Sequence, residues 1–121
     1  MDRLNFYLLA ILAVLATIVA QETYSDMFDH INPDEILPND ELRNQYYNCF
    51  MDRGPCVTDD QKYFRQNIAE AFVTKCQKCT ETQMKNYGKI VEWYTENRPD
   101  EWQAMVEKLL EEAKKLNITP A

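Results

Sequence analysis

All four cysteines fall between positions 49 and 79, as Cys49 and Cys56, then Cys76 and Cys79 after an interval of nineteen residues. The segment between the pairs reads as one amphipathic helix, so each pair stands where a helix ends. Thr58 followed by Gln61 is a capping-box pattern, in which two side chains satisfy orphan backbone N–H groups reciprocally. Phe64, Ile68, Ala71 and Phe72 then recur at the spacing of a single buried helical face. Upstream, Gly54-Pro55 supplies a residue free to turn left-handed and one that cannot continue a helix. Both pairs are therefore placed to staple helix termini.

Four cysteines allow three pairings, and spacing alone does not choose among them. Reach favours the local pairs, whose short loops stabilise by about 2 kcal/mol each in the chain-entropy model. Bridges of that kind pin corners without tying distant helices together. A zinc site would use the C-x2-C pair, but the six-residue interval of the first pair is loose for one. A redox C-x-x-C would open a helix in a strand–helix alternation, and none is visible.

Residues 1–20 read as a secretory signal peptide: a short n-region with Asp2 and Arg3, an apolar run from Leu8 to Ala20, and a small residue before the cut. The run is too short for a comfortable membrane span. Residues 21–121 form one small domain, expected to be secreted and extracellular, where disulfides persist. With 13 basic against 20 acidic residues, and the basic ones scattered, no face can neutralise a row of phosphates. The composition thus speaks against nucleic-acid binding and against stable membrane insertion.

Two glycines and no sustained alternation of β-branched residues predict an all-α domain. Tyr24 to Leu37 suggests two short helical pieces bent at Pro33, and Pro38-Asn39-Asp40 starts a helix bearing Leu42, Tyr46, Cys49 and Phe50. Thr80 with Gln83 repeats the capping box and opens a helix with Met84, Tyr87, Val91 and Tyr94 on one face. Gly88 weakens it by about 1 kcal/mol relative to alanine. Pro99 ends that helix and suits the first turn of the last, with Asp100 and Glu101 at its positive end and Lys114 and Lys115 at its negative end. Trp102, Met105, Val106, Leu109, Leu110, Ala113 and Leu116 are its expected buried face.

The residues do not assemble an enzyme. His30 is the lone histidine, and no catalytic triad, phosphate-binding loop or metal box can be built around it. Neither a metal nor a cofactor is expected. What remains is apolar surface, rich in Tyr, Phe and Met. Composition favours a plain packed core, while aromatic stripes with flexible methionines also suit a pocket for apolar guests of varied shape.

The chain resembles the insect chemosensory proteins (olfactory-segment-D or pherokine-like carriers) over nearly the whole of 21–121. The resemblance rests on Tyr24, Phe28-Asp29, Ile31, Asp34-Glu35-Ile36-Leu37 and Asn39, continuing through Leu42, Tyr46 and Cys49 to Gly54-Pro55-Cys56. Cys76-x-x-Cys79-Thr80 with Gln83, and Pro99-x-x-Trp102, complete it. Departures are the nineteen-residue interval with Val57 as the extra residue, Arg43 in place of leucine, Ala69 in place of proline, and a Glu/Lys-rich last helix.

The resemblance implies a compact bundle of about six helices around a hydrophobic channel, with disulfides Cys49–Cys56 and Cys76–Cys79. It implies a monomeric carrier of odorants, pheromones and long-chain lipids (long-chain alcohols, esters, fatty acids and other semiochemicals), working in sensillar lymph or a haemolymph-like fluid, with a sensory receptor as a possible partner. The lining positions of the family map onto Tyr46, Phe28, Leu42, Phe64, Ile68, Phe72, Val91 and Tyr94, with the Tyr46 hydroxyl offered to the ligand's polar head. A competing expectation is a secreted helical interaction or developmental factor whose core is dry.

Overall fold

All the helices but the last begin where a side chain can replace the missing turn of backbone acceptors. In the computed structural model, which describes residues 22–121, these starts delimit five helices. Asn32 Oδ1 accepts from Asp34 N to open α1 (Pro33–Ile36), with Pro33 in the first turn. Asn39 does the same for Leu42 N at the head of α2 (Asp40–Phe50). Thr58 opens α3 (Asp59–Val73), Thr80 opens α4 (Glu81–Asn97), and Arg98 joins α4 directly to α5 (Pro99–Lys115) without a side-chain cap. α5 ends at a left-handed Asn117, where Ile118 N reaches back to Ala113 O.

The described residues are all-α, as expected, but with one helix fewer. Pro33 does not separate two helical pieces; it starts the only one there, and the chain before it makes a turn at residues 27–30 closed by Asp29 N to Asp26 O and Ile31 N to Phe28 O. A segment that short gains too few bonds to offset helix nucleation. The expected leader, 1–20, lies outside the described residues. No helix among the described residues is long and apolar enough to cross a membrane.

The cysteines pair locally, Cys49 with Cys56 and Cys76 with Cys79, with Cα atoms 4.8 and 4.9 Å apart. The first bridge pins the end of α2 to the following loop, and the second sits in the turn between α3 and α4. Gly54 does not take the left-handed conformation its position suggested. Asp52 takes it instead (φ 56°) and spends its carboxylate on Arg65 of α3 and Lys108 of α5, at 2.9 Å each. Arg65 and Lys108 also hold Glu112, which closes a four-membered ionic network over the α3–α5 seam. The Arg65 and Lys108 hydrogen bonds keep the Asp52 carboxyl down at about 2.

The two capping boxes differ. At Thr80 both halves form, with Thr80 Oγ1 accepting from Gln83 N and Gln83 Oε1 from Thr80 N, each at 3.1 Å. At Thr58 only the first half forms. Gln61 is fully buried and turns its amide to longer-range partners, accepting from Val57 N at 2.9 Å and donating to Gln45 Oε1 at 2.8 Å. It thereby ties the first disulfide loop and α2 to α3.

α3 makes its most extensive helix contact with α5, and α4 packs on α5 as well. The core joins Leu37, Tyr47, Ala69, Tyr94, Met105 and Leu109. The buried stripe of α5 is narrower than its apolar sequence: Met105, Leu109 and Ala113 are buried, whereas Leu110 and Leu116 are exposed. α4 is rotated from expectation as well. Met84 is exposed, and the inward positions are Gln83, Tyr87, Ile90 and Tyr94.

Candidate functional site: an apolar cavity

The helices line a cavity of about 190 Å³ that opens to the surface. One water needs roughly 10–15 Å³ measured in this way, so the space is far larger than a packing defect. α3 contributes its most regular wall, the doublets Tyr63-Phe64, Asn67-Ile68 and Ala71-Phe72, one turn apart. α2 adds Arg43, Tyr46, Tyr47 and Phe50; α4 adds Tyr87, Ile90 and Tyr94; α5 adds Trp102, Met105 and Leu109. The N-terminal segment brings Tyr24, Phe28 and Ile31, α1 brings Ile36 and Leu37, and the Cys76–Cys79 bridge also borders the space. Phe28, Phe64, Ile68 and Phe72 are only half-buried, since each has cavity where a core residue would have neighbours.

The aromatic rings brace one another. Phe28 packs on Tyr63 and Phe64 at centroid distances of 5.3 and 6.2 Å. At the other end, Tyr94 stacks between Tyr47 (6.1 Å) and Trp102 (6.3 Å), and Phe72 meets Trp102 edge-on at 6.1 Å. Offset and edge-to-face pairs of this kind hold a wall in place without filling the space it encloses.

Most polar atoms of the wall are committed elsewhere, and the surface left for a guest is apolar. Asp29 accepts from Thr80 Oγ1 and Gln83 Nε2, each at 2.8 Å; Asn67 Nδ2 donates to Tyr63 O at 2.9 Å; Tyr47 Oη donates to Glu101 O at 3.0 Å. Tyr46 Oη donates to the carboxylate of the buried Asp60. Its proton is therefore engaged, and its lone pairs are what the hydroxyl can offer to a ligand head. Burial first, and the Asp60 hydrogen bond second, hold the Tyr46 phenol far above its usual range. Burial first and Glu101 second push Tyr94 up to about 12, against the pull of Arg43. The phenols are neutral at any ordinary pH.

Of the expected lining residues, Phe28, Tyr46, Phe64, Ile68, Phe72 and Tyr94 share this wall; Leu42 and Val91 do not. The α2 face is Arg43, Tyr46, Tyr47 and Phe50, one residue round from the expected Leu42 stripe, because a buried arginine breaks the apolar pattern. Val91 loses its place to Ile90 through the rotation of α4 described above. Tyr47, Tyr63, Trp102 and Met105 were missed as lining residues. The doublet period on α3 was the available signal for Tyr63, since a face wider than about 100° takes two adjacent positions per turn.

A small disulfide-pinned helical fold around an apolar cavity is the form of a binding protein. A family model described as the insect pheromone-binding family, A10/OS-D, matches residues 24–117, and the chain belongs to that family. It is 34% identical over 94 residues to ejaculatory bulb-specific protein 3 of Drosophila melanogaster, a match spanning 78% of this chain and 74% of that protein. It is also 34% identical over 87 residues to the putative odorant-binding protein A10 of Drosophila melanogaster, spanning 72% of this chain and 56% of the relative. Among solved structures, a chemosensory protein in complex with bromo-dodecanol superposes with a TM-score of 0.70 at 34% identity, covering 75% of this chain and 90% of that one. Antennal chemosensory protein A6 of the moth Mamestra brassicae superposes with a TM-score of 0.57 at 31% identity, covering 81% and 99% respectively.

Proposed function

We propose that this protein is a secreted carrier that takes small hydrophobic molecules (odorants, pheromones or long-chain lipids) into its internal cavity. The observation that carries the reading is a roomy space whose wall is built of half-buried aromatic and aliphatic side chains, with most of its polar atoms bonded outside it. Family membership and the bromo-dodecanol complex of a structural relative support it. A competing role as a helical interaction factor needs a dry core, which the cavity argues against.

The mechanism is binding without chemistry. Each methylene moved from water into the cavity stabilises the complex by about 0.8 kcal/mol, so an alkyl chain of moderate length reaches micromolar affinity after entropy losses. The Tyr and Phe rings adapt to chain shape, and the corner disulfides allow small helix shifts. We further propose that the apolar run from Leu8 to Ala20 directs secretion and that the carrier acts as a monomer, delivering cargo to a membrane receptor where its role is sensory.

The test is displacement of N-phenylnaphthylamine from the folded, oxidised protein by dodecanol. Saturable one-to-one binding of the probe, reversed by the alcohol, is the expected result; no saturable binding would falsify the carrier reading.

A further inference from the structure

Among the described residues Arg43 is the one strong cation in the cavity wall, and it is nearly without solvent: its side chain is 4% exposed. A buried guanidinium normally spends its donors on carboxylates or carbonyls. Here Nη1 alone is engaged, donating to Leu37 O at 2.7 Å and to Asp40 at 2.9 Å, while Nε is buried with no partner among the described residues. Asp40 is 80% exposed, so water screens the charge meant to balance the arginine. The guanidinium carbon sits over the Trp93 ring, 4.6 Å from its centroid, a cation–π contact.

The other charged group of the wall, Asp29, is engaged by Thr80 and Gln83; Glu101 lies outside the wall, although its charge acts on Tyr94 together with that of Arg43. In the same wall, near enough to Arg43 to feel its charge, the Tyr94 hydroxyl makes no hydrogen bond to the described residues, whereas the Tyr46 and Tyr47 hydroxyls are already committed. An otherwise apolar wall therefore holds a buried cation with an unpartnered donor and a free phenol donor. A carboxylate is the head group that satisfies both, because it accepts from guanidinium and phenol and brings the missing negative charge.

We propose that Arg43, with Tyr94, makes the cavity selective for long-chain carboxylates over the alcohols and esters of the same chain. The inference rests on the carrier reading and specifies its ligand class; Arg43 acts as the specificity-determining residue for the head group, while the alkyl chain binds the aromatic wall.

Displacement of N-phenylnaphthylamine is compared for dodecanoate, methyl dodecanoate and dodecanol at about pH 8, well above the pKa of an ordinary carboxylic acid. Dodecanoate is expected to bind about ten- to a hundredfold more tightly than either neutral ligand, the increment of a charged hydrogen bond made in a buried place. In Arg43→Leu and Arg43→Gln the ratio of acid to ester affinity should collapse to about one or below. An acid-to-ester ratio near one in the natural chain overturns the proposal, and so does a ratio that survives both substitutions. Should Arg43→Leu fail to fold by circular dichroism, Arg43→Gln and Tyr94→Phe carry the test. The natural chain separates the two readings: loss of all saturable probe binding removes the carrier function, whereas displacement by neutral ligands without an advantage for the acid removes the selectivity alone.

Discussion

On one flank of α3, Ala69 and Val73 are buried against neighbouring elements; on the flank that faces the cavity, Phe64, Ile68 and Phe72 stay half-buried although they are larger. The packed side has Ala69 in one cluster with Met105 and Leu109, and it is covered at the edge by the Asp52, Arg65, Lys108 and Glu112 network. The open side faces the cavity. Stability in this helix thus resides in small, close-packed and hydrogen-bonded groups, while its large apolar groups are held back for a guest. Leaving rings half-covered forgoes burial that binding then recovers.

Two alanines on α3 give the strongest way to break that contrast. Ala69→Phe forces a ring into the close-packed seam and should destabilise by about 3 kcal/mol or more, read as a lower urea midpoint. Ala71→Phe, two positions on but facing the cavity, should cost under about 1 kcal/mol and weaken displacement of the probe by dodecanol about tenfold. Equal destabilisation by the two would mean that the helix has no open side.

Next in size is the first corner. Replacing Cys49 and Cys56 together by alanine should cost about 2 kcal/mol, the value of so short a loop, with probe affinity changed far less than stability. A loss of binding at full folding would show that the bridge shapes the cavity instead of merely pinning a corner.

Gly88 lies exposed on the outer side of α4, with nothing within 4 Å of an added Cβ and no left-handed backbone. Gly88→Ala should raise stability by about 0.5–1 kcal/mol and leave binding alone, checked by thermal melting with and without ligand.

The smallest effect concerns the ionic edge. Asp52 has a folded pKa of about 2 against an ordinary 3.8, so its contribution is present above the unfolded value and is lost as pH falls through the folded one. The carboxylate is more than half exposed and screened, so Asp52→Asn should cost well under about 1 kcal/mol at neutral pH. The difference between variant and natural chain should shrink as pH falls towards 2 and vanish only below it, where both lack the charge; a gap that persists there would assign the effect to the left-handed turn and not to the ion pairs.

Much of the frame could be read from neighbouring residues. Asn39, Thr58 and Thr80 open helices at the positions their side chains suggested, Pro99 starts the last, and glycine scarcity with helical spacing gave an all-α chain. These are contests settled within one turn, between a side chain and backbone groups a few residues away. The family resemblance carried the disulfide pairing, and the paired cysteines agree with it.

Tertiary structure decided the rest. Gln61 abandoned its capping box because burial offered partners on α2 and in the Val57 loop, and Asp52 took the left-handed turn because Arg65 and Lys108 were there to hold it. Arg43 reads as a surface residue by its type, and only the arrangement of α1, α2 and Trp93 encloses it. The cavity itself depends on how far apart α2, α3, α4 and α5 stand. Periodicity names the face a helix turns inward but carries no information on the distance to the face opposite, and that distance separates a packed core from a space that can hold a guest.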